Sequence, residues 1–208
     1  MNKGILITFE GGEGCGKSTQ LKLLYDYLKK KGRRVYLTRE PGGTQIGDEI
    51  RQILLNKKHN RMTPVTETLL YMASRSQIVE EVIKPRLKKG YVVLCDRWLD
   101  ATVAYQGYGA GADIAWINSL GRITTGGIEP KRTLFFDLPV EIGLRRAKSH
   151  KSADRMERKK LLFHRKVCAG YRAIAKKESG RIIRVPVTPS DTVSEVHARV
   201  LRAVSPLI

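Results

Sequence analysis

The sequence is poor in the features that mark membrane, secreted and disordered proteins. No window holds about 18 consecutive apolar residues, so we expect no transmembrane helix. Residues 1–10 have neither the charged start nor the small-residue cleavage site of a signal peptide. The three cysteines, Cys15, Cys95 and Cys168, are scattered and show no CxxC or metal-binding spacing, which favours reduced thiols in a cytoplasmic protein. A hydrophobic fraction of 41% argues against disorder.

Acidic residues are also scarce. The chain has 20 Asp and Glu against 39 Lys and Arg, which gives a formal net charge of +19. A charge of this size implies attraction to phosphate, whether in nucleotides, nucleic acid or an anionic membrane. No aromatic RNA-binding motif or zinc finger accompanies the charge. Charge alone therefore does not separate these partners from simple solvated helix faces.

Strand-like and helix-like segments alternate along the chain. Short apolar segments predict five strands, at residues 4–10, 33–39, 91–96, 131–137 and 181–185. Apolar spacing predicts helices at residues 17–31, 47–56 and 66–89, around 163–174 and at 193–204. Strands separated by helices require right-handed crossovers. The pattern therefore predicts one α/β domain over residues 1–208, with a doubly wound, five-stranded parallel sheet flanked by helices.

A glycine-rich loop between the first predicted strand and helix is the strongest functional signal. Its sequence, GGEGCGKS at residues 11–18, is a complete G-x-x-x-x-G-K-[ST] motif. Glycines let successive N–H groups converge on phosphates at a helix N-terminus, the lysine contacts the β- and γ-phosphates, and the serine hydroxyl ligates Mg²⁺. The motif predicts a P-loop NTPase fold that binds ATP with Mg²⁺. The residues predicted to bind the nucleotide are Gly11, Gly12, Glu13, Gly14, Cys15, Gly16, Lys17, Ser18 and Thr19.

An Asp-Arg pair ends the third predicted strand. Asp96 stands where a carboxylate holds Mg²⁺ through water, together with Ser18, and Arg97 beside it can clamp an anion. The pair suits an enzyme whose second substrate also carries a phosphate; a structural ion pair is the alternative. No NKxD-type guanine signature follows the loop. The P-loop by itself leaves motors, recombinases and small-molecule kinases open.

Several segments resemble the thymidylate kinase family over nearly the whole chain. They are FEGGEGCGKSTQ (9–20), TREPGGT (38–44), LLYMASRSQ (69–77), DRWLDATVAYQG (96–107) and DRME (154–157), with Phe163, Arg165 and Tyr171 beyond. The resemblance implies transfer of the γ-phosphate of Mg·ATP to dTMP, giving dTDP and ADP for dTTP synthesis. It also implies a homodimer, and neither nucleic acid nor a membrane as partner.

The resemblance further implies which residues meet dTMP. Arg97 would grip the phosphate as a catalytic residue, with Arg39 nearby. Tyr71 would stack on thymine, and Arg75, one helical turn later, would bond its O4; a core aromatic is the alternative for Tyr71. The other implied residues are Thr102 and Gln106 near the base, Tyr105 near the deoxyribose, Tyr171, and Glu13 near the sugar 3′-hydroxyl or the metal. Thr102, Tyr105 and Gln106 would otherwise serve as loop and cap residues.

Gly14 stands where some family members carry an arginine that supplies positive charge in the transition state. The resemblance therefore implies the bacterial class, in which a basic lid, here about residues 148–157, reaches over ATP. Arg155 is the first candidate for this catalytic cation. Its competitors are Arg145, Arg146, Lys148 and Lys151.

Three other functions remain open from the sequence. The first is another nucleoside-monophosphate or deoxynucleoside kinase on the same fold, which acceptor preference would reveal. The second is a nucleic-acid-stimulated ATPase, suggested by the charge and expected to show a steep salt dependence. The third is a non-catalytic nucleotide sensor, which the presence of Lys17, Ser18, Asp96 and Arg97 disfavours.

Overall fold

The computed structural model describes residues 4–148 and 154–208, in which five parallel strands form one sheet in the order β2-β3-β1-β4-β5. The strands are β1 (Ile5–Gly11), β2 (Val35–Arg39), β3 (Val92–Asp96), β4 (Arg132–Asp137) and β5 (Ile182–Pro186). The predicted doubly wound α/β sheet is confirmed. Each strand boundary lies within two residues of its prediction.

Helices connect successive strands. They are α1 (Lys17–Lys30), α2 (Gln45–Leu55), α3 (Pro64–Ile78), α4 (Lys84–Lys88), α5 (Leu99–Thr102), α6 (Ile114–Thr125), α7 (Val140–Lys148), α8 (Leu161–Lys177) and α9 (Val193–Val204). Two π-helical segments, Val79–Ile83 and Val103–Gly109, join α3 to α4 and extend α5. A final 3₁₀ turn covers Ser205–Leu207.

The sheet register brings the functional segments to one edge. β1 and β2 both flank β3, with Phe9 and Arg39 opposite Asp96. Because the strands are parallel, their carboxyl ends all meet at this edge, where ligands bind in open α/β sheets. The central strands are buried on both faces, and a hydrogen bond of 2.7 Å between the Thr8 and Thr133 hydroxyls satisfies the polar pair inside. The core thus holds the P-loop, Arg39 and Asp96 together.

The helix predicted over residues 66–89 is three segments rather than one. It begins earlier than expected, at Pro64, where the Thr63 side chain accepts a hydrogen bond from the Thr66 N–H. The π-helical turn Val79–Ile83 precedes Pro85, which lies in the first turn of α4. A proline there cannot donate an intrahelical bond, and the widened turn accommodates the missing donor.

Three helical regions were not predicted: Leu99–Gly109, α6 and α7. In α6, β-branched residues and Gly121 lower the intrinsic helix propensity. The structure shows why Gly121 is there, since a β-carbon at this position would lie 2.5 Å from a Leu99 methyl carbon. Close packing of α6 against α5 therefore outweighs local propensity.

The described part of the predicted lid is a tight turn at its C-terminal end. The Asp154 Oδ1 accepts hydrogen bonds from the N–H groups of Met156 (2.8 Å) and Glu157 (2.9 Å). In return, the Asp154 N–H donates to Glu157 Oε2 at 3.2 Å. The Asp and Glu of the DRME segment thus form a reciprocal cap. Residues 149–153, which include the candidate Lys151, and the Lys148 side chain lie outside the described part of the chain.

Within residues 4–148 and 154–208, no helix combines the length and apolar character needed to span a bilayer.

Candidate active site

The P-loop wraps around its own lysine. The Lys17 Nζ donates hydrogen bonds to the carbonyl oxygens of Gly11 (3.1 Å) and Gly12 (2.8 Å), and the side chain is only 7% exposed. Gly16 precedes α1 with φ 89°, and among the described residues no side chain caps this helix. The first N–H groups of α1 therefore point toward the loop, where they favour an anion.

Gly14 packs directly against α7. Its φ is 62°, and a β-carbon there would lie 2.1 Å from the Gly143 carbonyl oxygen. An arginine at this position is incompatible with this backbone, so any cation over the γ-phosphate besides Lys17 has to come from outside the loop. Arg146 lies beside Gly14, because its Cβ is 3.1 Å from the same β-carbon position.

Ser18 and Asp96 lie side by side at the strand edge. The Ser18 hydroxyl donates to Asp96 Oδ2 at 3.1 Å, and the buried Asp96 Oδ1 has no hydrogen-bond partner among the described residues. No cluster of three or more His, Cys, Asp or Glu with metal-binding geometry occurs in the described ranges. One hydroxyl and one free carboxylate oxygen suit Mg²⁺, which keeps its waters and takes substrate phosphate oxygens as further ligands.

Arg97 is held in a strained backbone conformation. Its φ is +72°, and its N–H donates to the Phe9 carbonyl at 3.0 Å. The guanidinium donates to Gly11 O (3.1 Å), to Tyr171 Oη (3.3 Å) and to Glu13 Oε1 (3.0 Å). It is therefore fixed between the P-loop and α8, at the edge where a second phosphate would sit.

The charges around Arg97 keep it and Glu13 ionised. Burial opposes the charge of Arg97, but Tyr105 and Glu13 raise its pKa well above the usual value. Burial likewise raises the pKa of Glu13, whereas Arg97 and Lys17 lower it more, so the net shift is downward. The Tyr105 hydroxyl donates to the same Glu13 oxygen at 2.6 Å. The result is a preorganised carboxylate, guanidinium and phenol.

Glu10 is a fully buried carboxyl group beneath this cluster. It accepts hydrogen bonds from the Trp98 N–H (2.7 Å) and the Tyr171 hydroxyl (2.8 Å). Burial, with a smaller contribution from Asp100, raises its pKa from 4.5 to about 8. The carboxyl therefore keeps its proton in the folded protein at pH values where the unfolded chain has released it.

The Glu10→Gln substitution is expected to flatten the dependence of stability on pH. Between pH 4.5 and about 8 the folded state binds more protons than the unfolded state, so the free energy of unfolding falls as pH rises, by at most about 1.4 kcal/mol per pH unit. Urea unfolding between pH 5 and 8 measures this slope. The exposed Glu80→Gln serves as the control and should keep the wild-type slope. An unchanged slope in Glu10→Gln would show that the carboxyl is ionised when folded.

One cleft of about 310 Å³ extends from the P-loop to a pocket between α3 and the π-helical segment Val103–Gly109. Arg75 crosses the pocket, donating from Nε to Glu40 Oε2 (2.7 Å) and from Nη2 to Thr102 Oγ1 (2.9 Å). Burial raises the pKa of Glu40 to about 7, with Arg75 opposing the rise. Burial also raises the pKa of Tyr71, which stays a neutral phenol. The pocket thus offers aromatic, guanidinium and hydroxyl groups together.

The structure brings most of the predicted residues to this cleft. Its lining includes Glu13, Gly14, Cys15, Gly16, Lys17, Ser18, Thr19, Tyr71, Arg75, Asp96, Arg97, Thr102, Tyr105 and Gln106. Tyr171 lies behind Arg97 and is not part of the lining. The Arg39 side chain pairs with Asp48 at 3.1 Å and is also outside the lining.

Arg155 lies where the lid prediction did not place it. It is 5% exposed, donates from Nε to the Leu54 carbonyl at 2.7 Å and forms an ion pair with Glu67. These partners belong to α2 and α3, and none belongs to the P-loop. A role over ATP would require this buried ion pair to break, so the geometry favours Arg146 among the described competitors, because Arg146 lies beside Gly14.

Sequence reasoning missed a second cavity, of about 460 Å³, on the other side of the P-loop. Its walls are Gly14, Cys15, Gly16, Thr19, Gln20, Arg146, Ala147, Val187, Asp191, Thr192, Val193 and Val196. It also missed Glu67, which pairs with Arg155, and Arg51, which lines the first cleft and donates to the Pro41 carbonyl at 3.0 Å; neither belongs to a recognisable motif. On the wall of the second cavity opposite the P-loop, the sequence signal is the Thr192–Glu195 capping box, which marks the start of α9 and not a binding site.

Comparison with known proteins agrees with this geometry. The family model described as thymidylate kinase matches residues 9–200. A thymidylate kinase of Geotalea daltonii is 51% identical over 189 residues, covering 88% of this chain and 88% of the relative. One from Geotalea uraniireducens is 48% identical over 207 residues, covering 97% and 96%. The crystal structure of thymidylate kinase from Ehrlichia chaffeensis matches with a TM-score of 0.78 at 32% identity, over 96% of this chain and 97% of that one. This chain belongs to the thymidylate kinase family.

Proposed function

We propose that this chain is a thymidylate kinase, a transferase that passes the γ-phosphate of ATP to dTMP and so supplies dTDP for dTTP synthesis. The observation that carries the proposal is the single cleft that joins the P-loop to a pocket containing Tyr71, Arg75 and Arg97. A phosphate held by Arg97 would face the P-loop directly. The family membership supports the same donor and acceptor.

The reaction needs no general base, because the attacking phosphate of dTMP is already ionised. Catalysis comes from aligning two anions and neutralising their charge. Lys17 and the α1 N-terminus bind the donor phosphates, and Arg97 binds the acceptor phosphate. Bound Mg²⁺, held by Ser18 and Asp96, would neutralise charge on the ATP phosphates. A cation from α7 or the lid completes the site, and Arg146 fits best among the described residues. Arg155 would have to leave its ion pair with Glu67 to act there.

The acceptor pocket supports thymine recognition. Tyr71 provides a flat neutral surface for stacking, and Arg75 provides a donor for a base carbonyl. We assign Thr102 and Gln106 to the base, Tyr105 to the deoxyribose, and Glu13 to the sugar 3′-hydroxyl or the metal. Arg39 and Tyr171 contribute at the edge of the phosphate site. The second cavity, beside Arg146 and Thr192, is the assigned pocket for the adenine of ATP.

The test is ADP release with Mg·ATP and a panel of acceptors: dTMP, dUMP, dCMP, AMP, GMP and thymidine, with no-acceptor and DNA controls. Rapid ADP release with dTMP, accompanied by dTDP formation, is expected. Turnover with another monophosphate alone would keep the chemistry and overturn the base assignment. ADP release that requires DNA would replace the kinase proposal with a nucleic-acid-stimulated ATPase.

We also propose that the chain acts as a homodimer. Apolar side chains are exposed on three adjoining helices, α2, α3 and α6: Ile46, Ile53, Val65, Leu69 and Ile123, of which Ile123 is 76% exposed. Sedimentation at micromolar concentration is expected to show a dimer, and Ile123→Glu to shift it toward monomer.

Three free, buried cysteines support a reducing compartment, and we place the protein in the cytoplasm.

A further inference from the structure

A buried carboxylate lies between the acceptor pocket and the lid. Glu67 is on α3, one helical turn before Tyr71, and is 3% exposed. Its Oε1 accepts a hydrogen bond from the Gln106 side-chain N–H₂ at 2.6 Å. Its Oε2 forms the ion pair with Arg155. One carboxylate thus connects a residue of the base pocket to the DRME segment.

Arg155 is itself firmly anchored. Its Nε donates to the Leu54 carbonyl at 2.7 Å, and its backbone N–H lies 3.4 Å from the Leu55 carbonyl oxygen. Both carbonyls end α2, where the helix dipole favours a cation. The reciprocal cap between Asp154 and Glu157 holds the flanking turn. Arg155 therefore keeps Glu67 in place while its neighbours Met156 and Glu157 line the cleft.

Glu67 dictates how the Gln106 amide is oriented. An ionised carboxylate only accepts hydrogen bonds, so the amide has to turn its N–H₂ group toward Glu67. The amide carbonyl oxygen then remains as an acceptor, and no described residue donates a hydrogen bond to it. Gln106 lines the cleft together with Tyr71 and Thr102. Glu67 thus decides which end of the amide is available: the N–H₂ end is turned toward Glu67, and the carbonyl oxygen is left to accept a hydrogen bond from a base.

This polarity discriminates between pyrimidines. Thymine and uracil carry an N–H at ring position 3, which an acceptor complements. Cytosine has a lone pair at the same position, and two facing acceptors leave both groups unsatisfied. We propose that Glu67 and Arg155 are positioning residues that determine selectivity for thymine over cytosine, acting through the fixed amide of Gln106. The proposal rests on the proposed function, because it presumes that the base lies in this pocket.

The decisive variant is Glu67→Gln. A neutral amide both donates and accepts, so Gln106 is no longer forced into one orientation. The ratio of kcat/KM for dTMP to that for dCMP is expected to fall about 10- to 100-fold. The ratio for dTMP to dUMP should stay unchanged, since both bases carry the N–H. The double variant Glu67→Gln/Gln106→Ala should lose no more selectivity than Gln106→Ala alone, because Glu67 acts through that amide.

Two further variants separate selectivity from stability. Asp100→Asn breaks another largely buried ion pair, with Arg181, outside the cleft, and should leave the dTMP:dCMP ratio at the wild-type value. If Glu67→Gln does not fold, Glu67→Met/Arg155→Met removes both charges at similar volume, a change that buried ion pairs often tolerate. This double methionine variant should show the same loss of selectivity for dTMP over dCMP.

An unchanged dTMP:dCMP ratio in Glu67→Gln, or in the double methionine variant, would overturn the proposal. So would an equal fall in Asp100→Asn. Failure of the proposed function looks different, because the wild-type enzyme itself would then not prefer dTMP.

Discussion

Replacing Lys17 with alanine is expected to lower kcat with dTMP by about 10³-fold or more while the protein remains folded. The Nζ group is the only side-chain cation inside the P-loop, and its removal takes away the charge that meets the β- and γ-phosphates. The folded state should survive, because the lysine contributes to it only hydrogen bonds to Gly11 O and Gly12 O and a contact of 3.6 Å with Cys15 Sγ.

The measurement is steady-state ADP release with dTMP, together with thermal unfolding followed by circular dichroism. Lys22→Ala is a matched control on the same helix: Lys22 is exposed, pairs with Asp26 and lies over the ring of Tyr25, and none of these groups belongs to the P-loop. It should retain wild-type turnover. A Lys17→Ala protein that is folded and fully active would refute the assignment of the P-loop.

Replacing Arg97 with lysine is expected to lower kcat/KM for dTMP by about 10²- to 10³-fold. Lysine keeps one positive charge but not the planar fork. It cannot contact Gly11 O, Tyr171 Oη and Glu13 Oε1 at once and still present N–H groups to a phosphate. The loss should appear with every acceptor that carries a phosphate.

The same experiment distinguishes an acceptor role from a structural one. ATP hydrolysis without acceptor should change little in Arg97→Lys, because Lys17 and Ser18 remain to hold the donor. Arg165→Lys is the control, since Arg165 is exposed and pairs with Glu141. If Arg97→Lys instead raises the KM for ATP and leaves that for dTMP unchanged, then Arg97 belongs to the donor site.

The sequence was sufficient for the sheet and for the phosphate site. Continuous apolar segments such as residues 91–96 are typical of strands buried on both faces, and the structure confirms all five strands. The P-loop residues are contiguous, so their arrangement follows from a local turn between β1 and α1. Asp96 and Arg97 could be placed because Asp96 ends a predicted strand and Arg97 follows it directly.

Helices that depend on packing were harder to predict. Residues 114–125 show weak helix propensity, yet they form α6 because Gly121 allows close contact with Leu99. The division of residues 66–89 into α3, a π-helical turn and α4 also depends on neighbours rather than on periodicity alone. Only the start of α3 carried a local signal in the sequence, namely a threonine cap at Thr63 followed by a proline at Pro64.

The sequence by itself determined the α/β class, the P-loop and the strand-end pair Asp96–Arg97, because each depends on residues adjacent in the chain. Only the tertiary structure decided where Arg155 lies. Its partners, Leu54 and Glu67, are distant in sequence, and a buried guanidinium has to find a carboxylate and carbonyl oxygens wherever the fold supplies them. The same holds for the amide of Gln106, whose orientation follows from Glu67 on a different helix. Contacts between distant segments leave no spacing pattern, and the physical demand to satisfy buried polar groups reveals them only once the chain has folded.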